Sequence, residues 1–164
     1  GGQIEAHSAG LGHGSRFTIR LPLEIPSVVP VESQHSSGGS NRPCRIVLVE
    51  DNLDARNLLQ TLLEDDGYEV QSEASGTAGL QRIRESRPDV AIIDIGLPEM
   101  NGHALARAVR AESVGRAPFL IALTGYGRPE DRQAALEAGF DVHLTKPVDL
   151  QKLESLLEQR PKPS

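Results

Sequence analysis

Between Arg45 and Gln159 one pattern repeats five times: a short aliphatic run followed by a longer stretch whose apolar residues recur at helical spacing. RIVLVE (45–50) precedes Leu58, Leu59, Leu62 and Leu63, a series that runs to Gly67, a C-cap residue by type and place. YEVQS (68–72) precedes Leu80 and Ile83, and DVAIID (89–94) precedes Leu105 and Val109. FLIALT (119–124) precedes PEDRQAALEAG, and DVHLT (141–145) precedes Leu150, Leu153, Leu156 and Leu157. Aliphatic strands alternating with helices predict a parallel sheet covered on both faces, because right-handed crossovers place helices there. With 3% aromatic residues and no Trp, the core must be built from Leu, Val, Ile and Ala.

At 164 residues the chain has room for one such domain plus appendages. From Glu24 to Pro43 the residues are mainly Pro, Ser and Gly and hold no period, which predicts a linker over 24–43. Ahead of it, SRFTIRLPL alternates Phe17, Ile19 and Leu21 with Thr18 and Arg20, as a half-buried strand does. No partner strand is evident beside it, so residues 1–23 are expected to be the tail of another domain. The division expected is thus 1–23, 24–43, a folded domain over 44–160 and a tail over 161–164.

The net charge of −6 and pI near 5.4 argue against a nucleic-acid partner, which calls for a basic stripe. The single Cys44 has no internal disulfide partner, and neither a membrane-spanning apolar run nor a basic-then-apolar leader is evident. The fragment is therefore expected to be cytoplasmic, without direct membrane contact, an expectation that leaves room for a membrane-anchored larger parent.

In an open parallel sheet, binding chemistry gathers outside the carboxyl ends of the strands. The first run ends in Glu50-Asp51, the third in Asp94, the fourth in Thr124-Gly125 and the fifth in Thr145-Lys146-Pro147. Each has an ordinary reading by itself: Glu50-Asp51-Asn52 as a helix cap, Asp94 as a buried acid satisfied by backbone donors, Thr124 as a turn residue and Lys146 as a solvated charge. Together they ask for more, since three converging carboxylates repel one another at low dielectric and need a cation. An all-oxygen site of carboxylates, a carbonyl and water suits Mg²⁺ or Mn²⁺. A carboxylate nucleophile, a divalent metal, a lysine and a hydroxyl are the parts that form and hold an aspartyl phosphate. On this reading Asp94 is the phosphoacceptor, and the sharp break at Gly96-Leu97-Pro98 exposes it.

VLVEDN, AIIDIGLPEMNG, ALTG and HLTKP, in this order at strand ends, resemble the receiver domains of bacterial response regulators over Arg45 to Gln159. The resemblance implies a flavodoxin-like α/β fold, a five-stranded parallel sheet in the order 2-1-3-4-5 with five helices on both faces. It implies metal binding by Glu50, Asp51, Asp94 and the Gly96 carbonyl, and phosphorylation of Asp94. It also implies phosphoryl contacts from Thr124 and Lys146, a cis Lys146-Pro147 bond, and a switch through Thr124 and the residue at 143. Two positions depart from the family. His143 stands where Tyr or Phe is frequent, so the aromatic switch is altered, and Gly96 lacks a side chain beside the phosphoacceptor, which bears on phosphate lifetime.

Residues 1–23, with Gly12, Gly14, Ser15 and Phe17, resemble the last glycine-rich loop and final strand of the ATP-binding domain of sensor histidine kinases. The two resemblances together imply the C-terminal part of a hybrid histidine kinase. Its receiver would exchange phosphoryl groups with a kinase core or a phosphotransfer protein, acting as acceptor rather than enzyme, with at most self-phosphorylation and self-dephosphorylation at Asp94. A phosphatase of the haloacid dehalogenase type also uses an Asp nucleophile, but carries a second Asp two residues later, where Gly96 stands here. A protein-binding pseudo-receiver would have lost an acid or the lysine, and a flavin binder would carry Ser and Thr where Glu50-Asp51 begin the first loop. Histidines 7, 13, 35, 103 and 143 lack ligand spacing, so no zinc site is expected.

Overall fold

The computed structural model describes residues 3–8, 10, 12, 14–20, 43–113, 117–125 and 128–161. Most of the expected linker (24–42), His35 and the end of the tail (162–164) lie outside them. The chain divides into two compact units, Gly1–Ser40 and Asn41–Ser164.

The first unit corrects the expectation of a lone half-buried strand. β1 (Gln3–Ser8) and β2 (Ser15–Arg20) form an antiparallel hairpin in which Ile4 faces Ile19 and Ala6 faces Phe17. Gly10, Gly12 and Gly14 carry positive φ through the turn, a backbone region that glycine enters without penalty. Strand alternation gathers Ile4, Ala6, Phe17 and Ile19 on one face, and among the described residues nothing covers it: Phe17 is 68% exposed and Ile4 70%.

The second unit runs β3 (Arg45–Val49), α1 (Leu53–Asp65), β4 (Glu69–Glu73), α2 (Gly76–Ser86), β5 (Val90–Asp94), α3 (Gly102–Glu112), β6 (Phe119–Thr124), α4 (Pro129–Glu137), β7 (Val142–Thr145) and α5 (Leu150–Gln159). All five strands pair in parallel, in the order β4-β3-β5-β6-β7. Counted within the unit this is 2-1-3-4-5, as expected. Alternate strand residues feed two cores. Val47, Val49, Ala91, Ile93, Leu120 and Ala122 meet α2, α3 and α4 on one face, while Ile46, Leu48, Ile92, Ile121, Leu123 and Leu144 meet α1 and α5 on the other. Fully burying each of the Val, Leu and Ile side chains contributes about 1.5–3 kcal/mol before entropy is counted, and the central strands β3, β5 and β6 accordingly read as apolar runs, whereas the edge strand β4 (EVQSE) does not.

Local signals set the helix ends. Asn52, Ser75, Asn101 and Asp149 accept from the backbone N–H three residues on, satisfying donors that the first turn leaves unpaired. Gly67, at φ +85°, ends α1 as the sequence predicts. α4 is the least anchored: Pro129 opens it, no side chain caps it, and Ala135 is its one buried residue.

Candidate functional site

The carboxyl ends of β3, β5, β6 and β7 bring the polar strand ends to one edge of the sheet. Ligand oxygens of Glu50, Asp51 and Asp94 lie within 4.8 Å of one another. Their access differs. Glu50 is 2% exposed and Asp94 7%, whereas Asp51 is open to solvent. The backbone of the first pair is fixed from two sides: Glu50 N–H donates to the Glu73 carbonyl at 3.1 Å, and Arg56 Nη1 donates to the Glu50 carbonyl at 2.6 Å. Because Asn52 performs the capping of α1, Glu50 and Asp51 are not needed for it.

Lys146 lies between two of the acids, with Nζ 2.6 Å from Glu50 Oε2 and 2.9 Å from Asp94 Oδ2. Burial by itself would lower the pKa of this ammonium, but its hydrogen bonds and charge attraction to Glu50 and Asp94 outweigh that, and the pKa is raised. Three carboxylates against one ammonium leave a formal charge of −2. That excess, the all-oxygen donor set and one solvent-facing acid fit a divalent cation such as Mg²⁺, which keeps part of its water shell.

The other expected residues take distinct places. Thr124, 5% exposed, ends β6, and its carbonyl accepts from the Lys146 N–H at 2.8 Å, tying β6 to the lysine-bearing loop. The Lys146-Pro147 peptide is cis. Gly96 N–H donates to Asp94 Oδ1 at 3.0 Å, so the loop after the strand orients the carboxylate that Lys146 holds from the other oxygen. A Cβ on Gly96 would stand 3.6 Å from Asp94 Oδ2, so glycine leaves this flank of the carboxylate open. His143 is not in the cluster: it pairs with Ala122, two residues short of the strand end, where Thr124 opposes Thr145.

Sequence reasoning missed two features of the site. The direct Glu50–Lys146 ion pair has no local signal, because the residues are distant in the chain. Arg56 had one: a cation one turn into the helix that follows two acids, though its partners prove to be backbone carbonyls.

Residues 46–158 match the family model described as response regulator receiver domain. The chain is 42% identical over 113 residues to the TorCAD operon transcriptional regulatory protein TorR of Escherichia coli O157:H7, covering 68% of this chain and 47% of that protein. It is 31% identical over 121 residues to the sensor protein GacS of Pseudomonas syringae, covering 72% of this chain and 13% of that protein. The chain thus spans under half the length of these two relatives. Among solved structures, the receiver domain of a sensor histidine kinase from Pseudomonas aeruginosa, described with a magnesium ion in its active-site cleft, superposes with a TM-score of 0.67 at 31% identity. That likeness covers 73% of this chain and 98% of the other.

Proposed function

This chain belongs to the response regulator receiver domain family, and from that premise we propose that Asp94 accepts a phosphoryl group from a phosphohistidine protein in a reaction that requires Mg²⁺, with Mn²⁺ able to replace it. The observation that carries the proposal is the Lys146 ammonium held against Glu50 and Asp94 in a cluster that keeps a formal charge of −2. An Asp94 carboxylate oxygen attacks phosphorus, an O–P bond forms as the P–N bond to the donor imidazole breaks, and that imidazole takes a proton from solvent. Gly96 N–H and Lys146 orient the nucleophile beforehand. After transfer Lys146 turns its charge to the phosphoryl oxygens, and the Thr124 hydroxyl donates to them. Glu50, Asp51, Asp94 and the Gly96 carbonyl would hold the divalent cation, which when bound would neutralise charge on the transferring group.

Mass spectrometry after treatment with acetyl phosphate tests this. The expected result is one phosphoryl group on wild type, none on Asp94→Asn, and none when Mg²⁺ is chelated. Equal modification of Asp94→Asn overturns the assignment.

The hairpin of residues 3–20 is, on the same reading, the edge of an ATP-binding domain, and the whole a C-terminal piece of a cytoplasmic hybrid histidine kinase segment that relays phosphoryl groups to or from a phosphotransfer protein. Two observations support it: the uncovered apolar face of Ile4, Phe17 and Ile19, which asks for a body to pack on, and the identity with a sensor kinase. The test is the reading frame ahead of residue 1, which should encode an uninterrupted kinase core.

A further inference from the structure

A cluster of close backbone contacts lies behind the phosphoacceptor loop. Gly76, the first residue of α2 and buried, sits so close to Met100 that a Cβ on it would come 2.2 Å from the Met100 carbonyl oxygen and 2.9 Å from Met100 Cβ. A backbone carbonyl has no rotamer by which to withdraw, so any side chain at 76 must displace either α2 or residue 100. Met100 belongs to the loop that leaves Asp94. That loop is closed at its base by Gly102 N–H donating to the Ile95 carbonyl at 3.1 Å, and a Cβ on Gly102 would stand 2.4 Å from the Asp94 carbonyl oxygen. Leu97, 5% exposed, pins its middle into the core. Glu99, at φ +63°, holds a left-handed conformation unusual for a residue with a side chain, and such conformations persist where the surroundings over-determine them. Within this loop Gly96 N–H orients Asp94 Oδ1.

We propose that Gly76 is a positioning residue for the phosphoacceptor site: by lacking a side chain it seats the start of α2 against Met100, and so holds the loop that sets Gly96 beside Asp94. The proposal rests on the reading of Asp94 and its acids as the metal and phosphoryl site. The atoms that a Cβ at 76 would meet first all belong to Met100, so Gly76 bears on the site through the loop. Packing convenience alone would account for the glycine if its replacement cost stability while the folded protein kept its affinity for the cation.

Isothermal titration of the full chain with Mg²⁺ separates the two. Outer residues that orient metal ligands typically change affinity by about 10–100-fold when replaced, and a loss of that size is expected for Gly76→Ala, together with slower modification by acetyl phosphate. Leu157→Ala, in the last turn of α5 and the opposite core, should lose stability and keep its Mg²⁺ affinity within about twofold. A folded Gly76→Ala with wild-type affinity overturns the proposal. Should that variant not fold, wild type decides by NMR: the Gly76 and Met100 amides are expected to shift with the same Mg²⁺ midpoint as Gly96, and silence at both overturns it. A wild type that does not bind Mg²⁺ at all overturns the reading of the acids first, and a wild type that binds while Gly76→Ala binds equally overturns only this inference.

Discussion

The hairpin strands β1 and β2 and the central strands β3, β5 and β6 of the parallel sheet are all paired with neighbours, yet they stand at opposite ends of burial. Every register position of β1 has its partner in β2, and Arg20 pairs with Glu5 at 2.7 Å, but the only residue of either strand not exposed is Thr18. In the sheet, Leu48, Ile92, Ile93 and Leu120 are fully buried, each with a helix over it. Pairing by itself does not make a fold. A hydrogen bond formed in water replaces others of similar strength, and an isolated two-stranded hairpin is marginal at best. What separates the two regions is apolar area removed from water.

The largest effect that follows is seen by cutting the chain between them. Residues 43–161 alone should melt in one cooperative transition within a few degrees of the full chain, while a peptide of residues 1–42 should show no cooperative transition by circular dichroism. A sharp melt of the short peptide would show that pairing without burial can carry a fold. The next effect is local. Leu105→Ala, at a position with 0% exposure, should cost about 2–5 kcal/mol in urea unfolding, whereas Phe17→Ala in the same full chain should change stability by less than about 0.5 kcal/mol. Comparable losses at the two positions would show that the hairpin face is covered after all.

Strand-helix alternation was legible in the sequence because β3, β5 and β6, buried on both faces, must be aliphatic, and the acids at the ends of β3 and β5 were legible because charge interrupts such runs. Glu50, Asp51, Asp94, Thr124 and Lys146 therefore declared themselves. Other features depended on contacts between distant residues. The strand Gln3–Ser8 was missed: its alternation of Ile4 and Ala6 with polar residues is weak beside the glycines that follow. In α1 four leucines shared one helical stretch, but Leu59 and Leu63 face the core while Leu58, a helical step of about 100° away, is 63% exposed. Nothing local marks Gly76 as the seat of Met100, or Asp141 as the carboxylate that takes Arg110 Nη2 at 2.6 Å and the Leu120 N–H at 2.7 Å.

The smallest effect lies within the second unit, at its least anchored helix. His103 at the start of α3 and His143 on β7 each have a buried Nε2 without a hydrogen-bond partner, and Asp131 of α4 has a buried Oδ2 in the same condition. Burial lowers the pKa of both imidazoles below the ordinary 6.5, the most for each; Arg107 lowers that of His103 further, and Arg132 and Lys152 that of His143, against an opposing pull from Asp131 on both. The His103 ring also meets Phe140 edge-on, with centroids 6.4 Å apart. Neutral rings are thus the form the packed α3, α4 and β7 accept. As pH falls through 6.5 the unfolded chain takes up protons that the folded chain does not, so the stability these rings contribute is complete above pH 6.5 and declines below it until the folded rings protonate too. Both histidines keep some solvent access, which keeps the loss small. Urea unfolding at pH 7.5 and 5.5 should therefore show a drop in wild type that shrinks in His103→Gln/His143→Gln, and hydrogen exchange at pH 5.5 should quicken first in α4, where a single buried alanine resists opening. An equal drop in the double variant, or exchange that quickens in α5 ahead of α4, would assign the pH response to other groups.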